Sequence, residues 1–338
     1  MVTVHLSFAS YDARFRTMLD STLYLPKDGW DEARRREARI PEDVFYRPKY
    51  VIALEQLDRA LANGVRFGWI TADEWYASFS VFVEGLEERK QRFVLEIPLD
   101  TLGWLFSPGD LQVPPKRVDH LGRYSWPLAW QAWTRFHVKD TEKGPLVWEV
   151  KASPFWMWMA GKACGPYWLV IARNVLDPKE QKYFLSNAAP GTPLEVILHV
   201  AFSRWPIERC FEDEKTELGL SHFEVRAYPS ILRHLLITQV SHLFLAQQNC
   251  RLRGEKSGGY HLPGAYRSRR FDRRPAAFAQ RPACAYREGG RRVATHAGQK
   301  RPRPSVPHQG ANSPTGKTQD HPRRTTLLYS TVNNQGAL

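Results

Sequence analysis

Three charged side chains, Arg204, Glu208 and Lys215, recur at regular intervals in the segment SRWPIERCFEDEKTELGL. On a helix with 3.6 residues per turn, spacings of four and seven residues return to nearly the same face. A carboxylate flanked by two cations on one face could bind a metal ion beside groups that contact phosphate. The same spacing is also typical of a solvent-exposed charged helix, so a functional interpretation needs partners elsewhere in the chain.

A second candidate carboxylate, Asp73, ends the short apolar segment VRFGWITAD. Functional side chains often follow the strands of α/β folds, although an Asp in this position also commonly caps a turn. Phosphodiester cleavage by two divalent cations requires clustered carboxylates, because the cations lie ~3.5–4 Å apart. Mg²⁺ takes oxygen ligands and keeps several waters, so few carboxylates suffice. Asp73 and Glu208 are the candidate ligands, and Arg204 and Lys215 are the candidate phosphate contacts.

The elements that must position these residues follow the order strand pair, helix, strand, helix, strand, which indicates an α/β fold. Apolar residues alternate in VTVHLSFAS, which predicts a half-buried strand at residues 2–8. The segment KYVIALEQLDRALANG has the helical period and ends at Gly64. Pro206 is the expected first residue of the helix that carries Glu208, because its fixed φ suits that position. That helix is expected to end near Gly219.

The chain is expected to have four regions. Residues 1–100 form the first part of the core, residues 101–166 a β-rich and Trp-rich insertion, residues 167–252 the remainder of the core, and residues 253–338 a basic tail. The tryptophans of the insertion either pack a core of their own or supply rings that stack on a DNA base.

The positive charge of the chain is concentrated in its last quarter. The 338 residues have a net charge of +13, whereas residues 251–338 alone hold 18 Lys and Arg against 4 Asp and Glu, a net of +14. This tail has no sustained helical or strand period. It is expected to be a disordered basic arm or the product of a shifted reading frame.

The cysteine and hydropathy patterns point to a cytoplasmic protein. The four cysteines are scattered and form no CxxC pair, which fits a reducing compartment. No apolar run reaches the ~18 residues that a membrane span needs. We expect no membrane partner, and association with the bacterial nucleoid if the chain binds DNA.

The segment SRWPIERCFEDEKTELGLSHFEVR resembles the glutamate-bearing signature of the DDE transposases of bacterial insertion sequences. That signature is Tyr, two residues, Arg, three residues, Glu, six residues and Lys, and Arg204, Glu208 and Lys215 match it in register. Ala201 stands in the place of the Tyr. The segment FGWITADEWY resembles the one that carries the second catalytic Asp of the family, which corresponds to Asp73.

The resemblance implies a ribonuclease H-like fold, in which a β-rich insertion interrupts a mixed sheet with helices. It also implies Mg²⁺- or Mn²⁺-dependent DNA transposition, in which a phosphodiester at the element end is hydrolysed and the freed 3′-hydroxyl attacks target DNA. Asp73 and Glu208 would be catalytic metal ligands, and Arg204 and Lys215 would bind DNA. The implied partners are the element ends, target DNA, and a second copy or full-length transposase.

One feature of the family has no counterpart in the sequence. The first catalytic Asp of the family lies on the first strand of the fold, and this chain is expected to begin at the second strand. Asp12 and Asp20 follow that strand and are expected at turn and hairpin positions. The sequence therefore predicts an N-terminally truncated, inactive transposase. The alternatives are an inhibitory fragment that binds DNA or full-length transposase, and a pseudogene product without function.

Overall fold

The structure is a computed structural model, and it describes most of the chain outside the basic tail. Residues 325–333 are described by their backbone alone. The described ranges are 2–12, 14–28, 31–109, 113–141, 144–204, 206–255 and 325–333. One compact unit comprises Met1–Gly259 and His321–Leu338, and the second, Tyr260–Asp320, falls outside the described ranges.

The first part of the core contains four strands and four helices in the described ranges. Strands β1 and β2 form an antiparallel hairpin, and β3 and β4 run parallel to each other. In chain order the elements are β1 (Val2–Ser10), β2 (Arg16–Tyr24), α1 (Glu32–Glu37), α2 (Lys49–Ala62), β3 (Trp69–Ala72), α3 (Glu74–Ala77), α4 (Ser80–Glu88) and β4 (Phe93–Ile97).

A β-rich segment, residues 102–186, extends the core sheet; it contains most of the predicted insertion and runs beyond residue 166. Its long hairpin joins the sheet through β10, which pairs with β4, and the sheet order from there is β4-β10-β9-β8-β5-β6. The elements are β5 (Leu102–Trp104), β6 (Lys116–Arg117), α5 (Val118–Tyr124), β7 (Thr134–Thr141), β8 (Gly144–Met159), β9 (Lys162–Asn174) and β10 (Gln181–Ser186). The insertion and the core are therefore continuous through backbone hydrogen bonds.

Three helices follow, and one strand from the tail completes the sheet. The helices are α6 (Leu194–Phe202), α7 (Pro206–Thr216) and α8 (Tyr228–Glu255), and the strand is β11 (Thr325–Asn333). Strand β11 lies between β1 and β3, antiparallel to β1 and parallel to β3. It occupies the position beside β1, opposite β2, that a strand preceding β1 in a meander would take.

The presence of β11 contradicts two predictions from the sequence. We expected the sheet to lack its first strand, and we expected the tail to have no regular structure. The segment TTLLYSTVN is rich in β-branched and apolar residues, which favour strands, but the basic, Pro-rich stretch before it obscures the pattern. It contains no Asp or Glu, so β11 completes the sheet without adding a carboxylate.

Helices cover both faces of the sheet. Along β4, Phe93 and Leu95 pack on the side of α2 and α4, whereas Val94 packs on the side of α6. Helices α7 and α8 pack against β1 and β2 through a third cluster that includes Ile207 and Leu235. This mixed sheet between helices confirms the predicted ribonuclease H-like α/β fold.

Candidate functional site

Asp73 follows directly after the buried strand β3 and begins the next helix. The backbone N–H groups of Trp75 and Tyr76 donate hydrogen bonds to its Oδ1 atom at 3.1 and 3.4 Å. Asp73 is therefore the N-cap of α3, in the position that favours a short acceptor side chain. The structure thus confirms the strand-end position and also gives the residue the capping role that the sequence left open.

A further carboxylate, Glu96, lies beside Asp73 because of the sheet register. Strands β3 and β4 are parallel, with Ala72 opposite Leu95, so the next residues along are Asp73 and Glu96. Strand β4 is otherwise buried, and Glu96 shares the face of Val94, toward α6. The signal in the sequence was a single charged residue within the apolar run FVLEI, which our reasoning missed.

Arg204 joins the helix that carries Glu208 to this edge of the sheet. Its Nη2 atom lies 3.3 Å from Oε1 of Glu208, and its Nε atom lies 3.9 Å from Oε2 of Glu96. The Nζ atom of Lys182 lies 2.7 Å from the other oxygen of Glu96. Arg204 thus brings together carboxylates from β4 and α7, which are separated by the whole insertion in sequence.

Helix α7 is held by contacts with the first hairpin and with α8. Arg16 of β2 forms an ion pair with Asp213 at 2.8 Å. Glu214 is fully buried, and its Oε1 atom lies 3.3 Å from Nδ1 of His242 on α8. These contacts hold the backbone of α7, and hence the direction from which Glu208 approaches the sheet.

Lys215 occupies the last turn of α7. It lies seven residues after Glu208, which corresponds to ~10 Å along a helix axis. Its Nζ atom lies 6.0 Å from the ring centroid of Phe211, and its charge helps to lower the pKa of the buried His5. The structure therefore places Lys215 near β1, and its predicted contact with phosphate remains a prediction.

The environment of Asp73 opposes its charge. Burial raises the pKa of this carboxyl above its usual value. The two backbone hydrogen bonds and the positive charge of Arg204 lower the pKa in part, and the negative charge of Glu96 raises it. A carboxylate that is buried beside another carboxylate gains from any added cation.

The donor set of this cluster suits a hard divalent cation. Asp73 and Glu208 offer carboxylate oxygens, and Mg²⁺ needs only one or two of these when it retains waters. Among the described residues, no group of three or more His, Cys, Asp or Glu side chains is arranged to hold a metal ion. The residues present therefore fit a cation with few protein ligands, and a three-carboxylate cage is not formed in the described ranges.

The alternative carboxylates near the start of the chain have structural roles. Asp12 accepts hydrogen bonds from Ser10 Oγ at 2.6 Å and from the backbone N–H of Arg14 at 3.2 Å, in the turn after β1. Asp20 lies on β2 and pairs with Arg59 at 2.8 Å. Neither has a contact that links it to Asp73.

The tryptophans of the insertion range from buried to exposed. Trp148 is buried and packs against Phe202 of α6, with ring centroids 4.8 Å apart. Trp126 and Trp130 are exposed, and Trp126 stacks on Phe106 with a ring-centroid distance of 5.4 Å. The insertion therefore has a tryptophan in the core and an exposed aromatic surface as well.

A sequence model of the DDE superfamily endonucleases matches residues 1–142. This match over the first 142 residues supports a DDE transposase-type protein. The match includes Asp73 and Glu96 and ends before Arg204, so the roles of Arg204, Glu208 and Lys215 rest on the signature and on the geometry. No curated protein matches the chain.

The DDE superfamily endonucleases, which the first 142 residues resemble, share general properties. DDE superfamily endonucleases generally use divalent metal ions, and their substrate is DNA. In the described part of the chain, no helix is long and apolar enough to cross a membrane.

Proposed function

We propose that this chain is a transposase-type protein that binds Mg²⁺ or Mn²⁺ at Asp73 and Glu208 and engages DNA at the same site. The observation that carries the proposal is the bridging position of Arg204, which lies 3.3 Å from Glu208 and 3.9 Å from Glu96, the neighbour of Asp73. If α7 were only a solvent-exposed charged helix, the Arg204 before it would have no reason to contact a carboxylate at the end of the central strands.

The proposed ancestral reaction is DNA transposition, in which a strand at the element end is cleaved and transferred to target DNA. Bound divalent cations would activate the attacking oxygen and stabilise the leaving oxygen of the phosphodiester. Asp73 and Glu208 supply the oxygen ligands for these cations. Arg204 and Lys215 supply positive charge for DNA phosphates, Arg204 through a planar group that can contact two oxygens at once.

The proposal includes the absence of strand cleavage by the chain alone. In the described ranges no group of three carboxylates is arranged to hold a metal ion, and β11 adds no Asp or Glu. Fewer charged ligands weaken metal binding and the stabilisation that the metals supply. The test is incubation of the full chain with a labelled DNA duplex and Mg²⁺ or Mn²⁺. Cleavage that disappears with Glu208→Ala would overturn this part of the proposal.

A second candidate function is an inhibitory fragment that binds DNA or associates with full-length transposase. The observation in its favour is the net charge of +14 in residues 251–338. DNA binding by such a tail should weaken steeply with salt, because each phosphate contact releases a counterion. In this case the full-length transposase partner would act in the cytoplasm, at the nucleoid. If the site of this chain is intact instead, we propose that the chain assembles with further copies of itself.

The position of β11 dictates how this second candidate is tested. Deletion of the whole tail would remove a central strand, so the Lys and Arg residues within 256–320 are replaced by Gln instead, and β11 is kept. If the tail carries binding, salt-sensitive DNA affinity disappears in that variant and survives Asp73→Ala. If DNA affinity is instead lost when Asp73 or Glu208 is substituted, the transposase-type site is the DNA-binding surface.

A further inference from the structure

Glu96 is the charged residue of strand β4, whose other residues are apolar. Its neighbours Leu95 and Ile97 are buried, and its own side chain is 19% exposed. A carboxylate in such a position loses hydration and needs cationic partners. Its partners are Lys182 on the adjacent strand β10 and Arg204 in the turn before α7.

The two oxygens of Glu96 are used differently. Oε1 lies 2.7 Å from Nζ of Lys182, which stands diagonally across the β4–β10 pair, because Phe184 is the residue opposite Glu96. Oε2 faces Arg204 at 3.9 Å. Lys182 therefore fixes the orientation of the carboxylate, and the second oxygen is directed at the guanidinium.

Arg204 consequently has two carboxylate acceptors. Glu208 is the nearer of them, at 3.3 Å, and Glu96 is the more deeply buried. A cation that binds Glu208 must compete with this guanidinium. When Glu208 binds a cation, Arg204 can still form its ion pair with Glu96.

We propose that Glu96 is a positioning residue that holds Arg204, and that it thereby sets how readily Glu208 binds a divalent cation. The inference rests on the proposed metal site and assigns a role to a residue outside the recognised signature. Without Glu96, Arg204 keeps Glu208 as its nearer ion-pair partner and blocks it more strongly. Without Arg204, Glu208 has no such competitor, and the loss of Glu96 matters little.

The test is a double-mutant cycle on the full-length chain, with Mn²⁺ affinity measured by titration calorimetry. The variants are Glu96→Gln, Arg204→Gln and the double substitution. We expect Glu96→Gln to weaken Mn²⁺ binding about fivefold, Arg204→Gln to strengthen it, and the double variant to differ less than about twofold from Arg204→Gln, since contacting residues couple non-additively. An equal loss in both backgrounds would mean that Glu96 acts as a distant charge alone, and the proposal would be wrong.

Glu149 offers a matched control for the effect of removing a shielded carboxylate. It is 13% exposed and pairs with two arginines, Arg135 at 2.9 Å and Arg173 at 2.7 Å, in the insertion. We expect Glu149→Gln to leave Mn²⁺ affinity unchanged. A loss equal to that of Glu96→Gln would show a general response to carboxylate removal and would overturn the proposal.

The urea midpoint of each variant, measured without metal, separates this inference from the proposed function. If the wild-type chain binds no Mn²⁺, the proposed metal site is wrong, but the midpoints still test the contact. Non-additive midpoint shifts for Glu96→Gln and Arg204→Gln then support the positioning of Arg204 by Glu96. Additive shifts contradict it.

Discussion

Asp73 has two roles, as a helix cap and as a negative charge, and two different substitutions can separate them. As the N-cap of α3 it accepts hydrogen bonds from the N–H groups of Trp75 and Tyr76 at 3.1 and 3.4 Å. As a partly buried carboxylate beside Glu96 it carries its charge in an unfavourable environment, and this partial burial raises its pKa. Asp73→Asn keeps the cap and removes the charge, whereas Asp73→Ala removes both.

The cap sets the expected difference between the two variants. Asn and Asp are about equally good N-caps, and replacement of either by Ala costs about 1 kcal/mol of stability. We therefore expect Asp73→Asn to be about 1 kcal/mol more stable than Asp73→Ala. We also expect Asp73→Asn to be more stable than the wild type at pH 7, because the partly buried charge is gone while Arg204 keeps Glu96 and Glu208 as partners.

The stability difference between the wild type and Asp73→Asn should depend on pH, and the raised pKa of Asp73 sets its sign. Below the usual Asp pKa of ~3.9, Asp73 is protonated in both the folded and unfolded states, and wild type and Asp73→Asn differ little in stability. Because the pKa is raised in the folded state, the wild type loses stability relative to Asp73→Asn as the pH rises from about 4 through that raised pKa. Above it the difference is constant.

The assay is urea unfolding of the three proteins between pH 4 and pH 8, followed by circular dichroism. If Asp73→Asn were less stable than the wild type at pH 7, the charge of Asp73 would be stabilising. Asp73 would then be a well-satisfied structural cap, and the reasoning that treats it as a carboxylate poised for a cation would fail.

Three other perturbations test the fold around the site. Gly103→Ala should lose about 1–3 kcal/mol of stability, measured by urea unfolding, because the added Cβ would collide with the backbone carbonyl oxygen of Trp156. Unchanged stability would mean that β5 lies elsewhere. His5 should make stability fall by roughly 1.4 kcal/mol per pH unit below pH ~6.5, since burial lowers its pKa to about 3; a His5→Gln variant with the same pH dependence would contradict this. Leu328→Pro should abolish cooperative unfolding, because residue 328 pairs with both β1 and β3 and proline removes its N–H; a wild-type transition would show that β11 is dispensable.

The fold was largely accessible from local patterns, and its exceptions are long-range. The strand at VTVHLSFAS and the Pro206 start of α7 were predicted correctly, because both signals lie within a few residues. The expectation that this strand is half-buried was wrong, because Thr3, His5 and Ser7 are buried as well. The place of β11 depends on pairing with strands about 250–330 residues away in sequence, which no local period records.

The candidate site shows the same division. Spacing placed Arg204 and Glu208 together, and the structure brings them to 3.3 Å. Spacing could not reveal Glu96, because its contact with Arg204 depends on the parallel register of β3 and β4. It also gave no sign that Glu214 is fully buried opposite His242, since that contact requires the packing of α8 on α7.

The most direct test of the account is Mn²⁺ binding to the full-length chain, measured by titration calorimetry for the wild type, Asp73→Asn and Glu208→Gln. If Asp73 and Glu208 ligate one cation site, each substitution weakens binding at least about tenfold while Asp73→Asn keeps its stability. If the three proteins bind Mn²⁺ with equal affinity, these carboxylates do not form the metal site, and the transposase-type assignment of this cluster is wrong.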